Sequence, residues 1–351
     1  MVRIAGWVAQ HPILWFFAFF IVFPFLVPYY ALATQVLIYG LYALGFNLLY
    51  GYTGLLSFGH AAYFGLGAYG TGLALARLKV TSLWGGLAIG LLTAGVGAAI
   101  IGFLCLRRRG IYFALLTLAF AQLLYFIGFQ LAHVTGGDDG LRGIPTLPVA
   151  LPGLTIPLDS PLALYYFILA LVGLAVLGLN RILESPFGAV LQAIRENSDR
   201  TSACGYDVNW IKHLSFVFSG LFAGLAGSLS AIYLRIVPIE NLYWTTSGQV
   251  VMMTLLGGAG TFFGPFVGAA AFLVLEDILS VFTESWQLII GLIFMGFVLF
   301  LPKGIWGTLV EHLLVRQTTV EPDGGSDWKG RPRSPNGDVP VRSSPEASAR
   351  P

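Results

Sequence analysis

Apolar runs of about 20 residues recur between residues 13 and 302, each long enough to cross a hydrocarbon core about 30 Å thick. Such runs leave few folds open. In lipid every backbone polar group must be satisfied by the protein itself, which permits helices or a closed barrel, and runs this long read as helices. The chain is 56% hydrophobic and 10% charged, with mean hydropathy +0.79, against roughly 25% charged residues in a soluble domain. The expected fold is therefore an all-α polytopic membrane protein of about nine to ten transmembrane helices, two of its segments broken by glycine. Spans are predicted at 13–31, 33–50, 58–77, 83–105, 111–132, 161–183, 211–236, 248–257, 264–283 and 286–302. The stretch 248–257 has half the usual length and reads as either re-entrant or spanning.

Loop charge sets the orientation. Arg3, Arg107, Arg108, Arg109, Arg181, Arg195, Arg200, Lys212, Lys303 and Arg316 fall on one side, and Arg77, Lys79, Arg142 and Arg235 on the other. By the positive-inside rule the richer side is cytoplasmic, and both termini with it. The net charge of +2 is scattered over loops, so the bilayer is a partner and nucleic acid is not. Cys105 and Cys204 fall on the cytoplasmic side and are expected to be free thiols. Ala31-Leu32-Ala33 resembles a cleavage site, but the apolar stretch before it is longer than a signal-peptide core and holds Pro24 and Pro28, so the first span is expected to be kept. Residues 1–316 form the membrane domain. The tail 317–351, rich in Pro, Gly, Ser and charge, is expected to be disordered.

One polar island, Glu184 to Lys212, interrupts the apolar pattern. Ser185-Pro186 is a helix start, a hydroxyl N-cap followed by proline. Phe187, Val190, Leu191 and Ile194 then form one apolar stripe, with Gln192 and Arg195 outward. A second short helix runs roughly from Asn197 to Cys204, and Gly205 stops it. A loop with two helices of its own reads either as a docking element for a soluble partner or as a solvated connector.

Two further segments combine glycine with polar residues at membrane depth: Gly51-Tyr-Thr-Gly54-Leu-Leu-Ser57-Phe-Gly59-His60 and Gly257-Gly258-Ala-Gly260-Thr-Phe-Phe-Gly264-Pro265. Their similar glycine spacing suggests an internal repeat. Broken helices in matching halves of a transporter often mark the substrate path, and close helix packing through small residues is the alternative. Gly51, Gly54, Ser57, Gly59, His60, Gly257, Gly258 and Gly260 are the candidate path residues. On the outer side, Gly136-Gly137-Asp138-Asp139 could bind a cation, meet a basic partner or form a solvated turn. Glu276, Asp277 and His60 are the ionisable groups in or near spans, each a candidate for substrate contact, coupling or structural pairing. No GxxxxGK[ST] motif, metal cluster or catalytic triad occurs, so no cofactor and no catalytic residue is expected.

From about Leu37 to Leu309 the chain resembles the permease subunits of ABC importers for branched-chain amino acids, the LivM type. The resemblance rests on NLLYGYTGLLSFGHAAYFGLGAY (47–69), RGIYFALLTLAFAQLLY (109–125), VTGGDDGLRGIP (134–145), SPFGAVLQAIREN (185–197), GYDV (205–208), SFVFSGLFAGLAGSL (215–229) and SGQVVMMTLLGGAGTFFGPFVGA (247–269). It implies a permease resembling the type II importers, in the bacterial inner membrane, working with a second homologous permease, two ABC ATPase subunits and a solute-binding protein. It also implies that 184–210 is the ATPase-coupling loop, with Arg195, Glu196, Asp199, Arg200, Gly205 and Asp207 as its candidate residues. Family members commonly carry small residues where this chain has Asn197-Ser198-Asp199-Arg200-Thr201-Ser202. The implied mechanism is alternating access, for a branched-chain or other neutral amino acid, or for urea and short amides. The alternative from another class is a stand-alone secondary transporter using Glu276 or Asp277; a purely structural scaffold is a further one.

Overall fold

In the computed structural model, which describes residues 12–310 apart from 152, 153, 284 and 302, every predicted span is a helix. In chain order these are α1 (Pro12–Leu26), α2 (Tyr30–Asn47), α3 (His60–Ala76), α4 (Leu83–Cys105), α5 (Ile111–Gln130) and α6 (Pro161–Leu183). The polar island holds α7 (Pro186–Glu196) and α8 (Ser198–Ala203), and α9 (Val208–Leu234), α10 (Trp244–Gly257), α11 (Gly264–Phe282) and α12 (Trp286–Phe300) complete the set. Seven stretches among the described residues are long and apolar enough to cross a membrane: Tyr30–Tyr52, α4, α5, α6, α9, α11 and Trp286–Val310. The tail from 317 lies outside the described residues.

The first boundary differs from the expectation. Helix is interrupted at 27–29 rather than near residue 32, because Pro28 lacks an N–H and bars the α conformation from the residue before it. α2 then continues through a π-helical turn, Leu48–Tyr52. α1 is fastened to the bundle: the Tyr165 hydroxyl donates to the Phe20 carbonyl at 2.6 Å, and Phe16 and Phe20 pack on Phe266 with ring centroids 5.0 and 5.5 Å apart.

α2 is the hub, buried along nearly its whole length, whereas α12 is largely exposed. It packs on α6, α9, α10 and α11, while α9 also packs on α3 and α4. Small residues allow that closeness. Gly67 on α3 faces the Gly224 backbone on α9, where a β-carbon would collide, and the Ser228 hydroxyl bridges the Gly67 and Gly224 carbonyls at 3.1 and 2.8 Å. Without a hydrophobic drive between helices in lipid, such close packing and interhelical hydrogen bonds supply the cohesion.

Two small antiparallel sheets were not anticipated by the all-α reading. β1 (Leu141–Arg142) pairs with β4 (Ile236–Val237), and β2 (Val149–Leu151) pairs with β3 (Leu154–Ile156). Strands of two or three residues are too short to carry a period-2 signal. The β1–β4 pair joins the α5–α6 loop to the α9–α10 loop at one end of the bundle. At the other end, the residues after α2, α4, α6 and α10 come together.

Candidate functional site

At that second end the two glycine-rich breaks meet each other and the polar-island helices. Asn47, the last residue of α2 and fully buried, donates from Nδ2 to the Thr261 carbonyl and accepts the Gly260 N–H at Oδ1, both at 2.8 Å. Its one side chain thus satisfies the second break from the edge of the first. Arg195 on α7 completes the junction, its Nη1 donating to the Gly51 carbonyl. A β-carbon at Gly260 would stand 2.9 Å from Arg195 Nη1 and one at Gly54 3.2 Å from Arg195 Cγ. Gly54 and Gly260 hold φ of +78° and +82°, a region L side chains avoid.

Arg195 therefore corrects the expectation that it points outward. Its residue is exposed, but the long side chain turns back onto a carbonyl left over where the α-helix ends. A guanidinium with five donors seeks such acceptors. The rest of α7 follows the pattern: Leu191 and Ile194 are buried, and Phe187 packs edge-on against Phe218 of α9 at 6.0 Å. Ser185 is a second correction. It occupies the N-cap position, but its hydroxyl donates to the Ile182 carbonyl at 2.6 Å and caps nothing.

The remaining polar-island residues sort by role. Asn197 caps α8 through the N–H groups of Asp199 and Arg200 at 3.1 and 2.9 Å. Gly205 takes φ +91° and ends α8 as anticipated. Asp207 caps α9, accepting the Trp210 N–H at 3.1 Å. Asp199 lies 3.7 Å from Arg109, both side chains open to solvent. Glu196, Arg200, Cys204, Gly205 and Tyr206 face outward. Cys204 is exposed and Cys105 buried, both as free thiols.

Within the first break, the backbone is satisfied by protein groups. The Thr53 hydroxyl reaches the Leu48 carbonyl at 3.0 Å and Ser215 at 2.8 Å, and the Phe58 N–H donates to Thr117 at 3.2 Å. Gly51, Ser57, Gly59 and His60 are buried, as are Gly257 and Gly258. His60 Nε2 meets the Ser219 hydroxyl at 2.7 Å, and that hydroxyl donates to the Gly45 carbonyl at 2.6 Å. The ring is wrapped by Phe46, Tyr63 and Tyr42. Asn47, Thr53, Ser215 and Ser219 were missed by sequence reasoning. The available signal was a lone asparagine in an apolar span just ahead of a glycine break.

At the opposite end the Thr135–Leu141 motif forms a folded turn. Gly136, Gly137 and Gly140 all have positive φ, and the Thr135 hydroxyl donates to the Gly128 carbonyl at 2.6 Å. Asp138 and Asp139 are exposed, with Asp139 3.6 Å from Arg142. Glu276 and Asp277 lie on α11, well beyond the second glycine break. Among the described residues no three His, Cys, Asp or Glu side chains converge as a metal site would require.

A bundle of apolar helices, with a two-helix polar element bonded to its broken helix ends, defines a multi-pass membrane protein. The comparisons make the class specific. A family model described as branched-chain amino acid transport system / permease component matches residues 29–301, and the chain belongs to that family. The high-affinity branched-chain amino acid transport system permease protein LivM of Escherichia coli (strain K12) is 30% identical over 78% of this chain and 69% of its own length. The probable LivM of Methanocaldococcus jannaschii is 24% identical over 73% of this chain and 83% of its own. The autoinducer 2 import system permease protein LsrC of Enterobacter sp. (strain 638) is 30% identical over 51% of this chain and 52% of its own. No solved structure matches.

Proposed function

We propose that this chain is one permease subunit of an ABC importer, carrying a branched-chain or other neutral amino acid inward. A second homologous permease, two separate ATPase subunits and a solute-binding protein complete the machine. In this reading the polar-island end is cytoplasmic and the sheet-bearing end is external. The chain then crosses ten times in a type II-like arrangement. α10, about 21 Å long at 1.5 Å per residue, makes its crossing with help from the turn before it and the break after it.

The observation that carries this reading is the Arg195 bridge. The two-helix element that leaves Glu196, Arg200 and Gly205 exposed also grips Gly51 and lies against Gly260 through Arg195. ATP-driven closure of the ATPases would displace α7 and α8 as one body, and Arg195 would pass that motion to both breaks at once. α3 and α11 begin just beyond those breaks, so their tilt would change together. The buried Gly51, Ser57, Gly59, His60, Gly257 and Gly258 would then open toward the solute in the alternate state. The family's name and the relatives' names support the solute class.

The test uses the complete transporter in liposomes. Arg195→Met keeps the aliphatic stem and removes the donor. A hydrogen bond from a charged group contributes about 1.5–3 kcal/mol, so uptake of labelled leucine should fall roughly tenfold while ATPase subunits still co-purify. Normal uptake by Arg195→Met, or uphill uptake without the ATPases, would refute the reading.

A further inference from the structure

We infer that the seam running from the α4–α5 groove to the start of α9 is a binding site for one anionic phospholipid of the cytoplasmic leaflet. Two cavities lie in series along one face of α4. The first, about 520 Å³, is a groove between α4 and α5 lined by Leu92, Val96, Ile100, Leu123 and Leu124 among others. Its only hydroxyl, on Thr93, is already spent on the Leu66 and Gly90 carbonyls at 2.9 Å. The groove is therefore apolar in practice and suits an acyl chain. The second, about 470 Å³, lies where α4 ends, between Phe103, Arg107, Arg109, Asn209, Trp210 and His213.

Helix geometry aligns the two. Leu92, Val96, Ile100, Phe103 and Arg107 follow each other at spacings of four and three, which keeps them on one face. Leu92, Val96, Ile100 and Phe103 are all more than half exposed. From Leu92 to Phe103 the rise is about 16 Å, close to the depth of one leaflet, half of a core of about 30 Å.

Charge selects the headgroup. Arg107 lies over the Phe103 ring at 4.7 Å, so its guanidinium is held at the top of the groove. Arg108 and Arg109 follow it, and Lys212 is near enough to Arg109 to feel its charge. Two carboxylates face these cations, Asp207 in the cavity lining and bonded to the Trp210 N–H and Asp199 3.7 Å from Arg109, so the four basic side chains leave the pocket net positive. Trp210, 58% exposed and stacked on His213, has the amphipathic ring favoured at headgroup level. Basic pockets between helices at the cytoplasmic side take phosphate headgroups. The proposed sidedness enters only in naming the leaflet; lipid retention itself needs no transport.

Native mass spectrometry of the complete transporter, purified in mild detergent with added phosphatidylglycerol or phosphatidylethanolamine, tests the site. Phosphatidylglycerol should be retained in preference. At about 1 kcal/mol per basic side chain near the surface, Arg107→Gln with Arg109→Gln should weaken retention about 25-fold. Val96→Trp, which fills the groove and leaves the arginines in place, should weaken it as well. Equal retention of both lipids, or unchanged retention in both variants, overturns the inference. So does displacement by inorganic phosphate alone, which would make this a free-phosphate site, or crosslinking of a photoreactive residue at Val96 to the second permease, which would make the groove a subunit interface.

Discussion

The two glycine-rich loops at opposite ends of this bundle are held in different ways. At the junction of the breaks, the decisive bonds reach far along the chain: Asn47 to Gly260 and Thr261, and Arg195 to Gly51. In the Thr135–Leu141 turn they close locally, from Thr135 to Gly128 and Leu131, from Gly140 to Gly137, and from Arg142 to Asp139. The β1–β4 pair is what hydrogen-bonds that turn to a distant segment. A loop held by distant elements must move when they move. A loop closed on itself keeps its shape while the helices beneath it tilt. The first suits a transmission joint and the second a fixed platform.

The largest effect that would expose this difference is at Gly51. A β-carbon there would strike Asn47 Oδ1 and stand 2.5 Å from the Gly260 backbone nitrogen, so Gly51→Ala must push the breaks apart. Overpacking of this kind costs about 1–3 kcal/mol, and uptake should be lost along with the stability. The matched change at the opposite end of the bundle is Gly143→Ala, where a β-carbon has open space and only the φ of +86° resists it. That variant should lose about 1–2 kcal/mol and still transport. Equal uptake by both variants, measured in the complete transporter, would break the comparison.

Asn47→Leu comes next. It preserves size at a buried position but strands the Gly260 N–H and the Thr261 carbonyl. Each buried group left without a partner costs about 1–3 kcal/mol. Thermal unfolding in detergent should show a lower Tm, and uptake should fall with it. A normal Tm would mean that the two breaks are positioned by packing rather than by the Asn47 side chain.

Much of this fold was legible because its strongest signal, long apolar runs, is also its strongest constraint. The helices, the two-helix island and the Gly205 stop all follow from local pattern. What could not be read was how distant segments meet. The apolar stripe of α7 gave the face it buries, but nothing local distinguishes an arginine in water from one folded back onto Gly51. The partners of Asn47 were hidden for the same reason, since they lie more than 200 residues away. The β1–β4 pair fell below the length at which alternation can be recognised. The family resemblance drew attention to the 184–210 loop, and the contact between that loop and both breaks emerged only in three dimensions.

The smallest effect is expected at Asp139, and it sharpens the comparison by what should not change. The pair with Arg142 is solvent-exposed on both sides, and such pairs contribute roughly 0–1 kcal/mol. Arg142 also donates to the Asp139 backbone carbonyl at 3.3 Å, a bond that Asp139→Asn leaves intact. The turn is held mainly by Thr135 and by three glycines in positive φ, so Asp138→Asn with Asp139→Asn should leave Tm unchanged. If this turn is the platform for a solute-binding protein, loss of the two charges should slow association at low salt and matter less at high salt, because rim charges act mainly on encounter. A fall in Tm as large as that of Asn47→Leu would show the opposite: a turn held by its carboxylates rather than its backbone, and so as dependent on side-chain bonds as the junction at the other end.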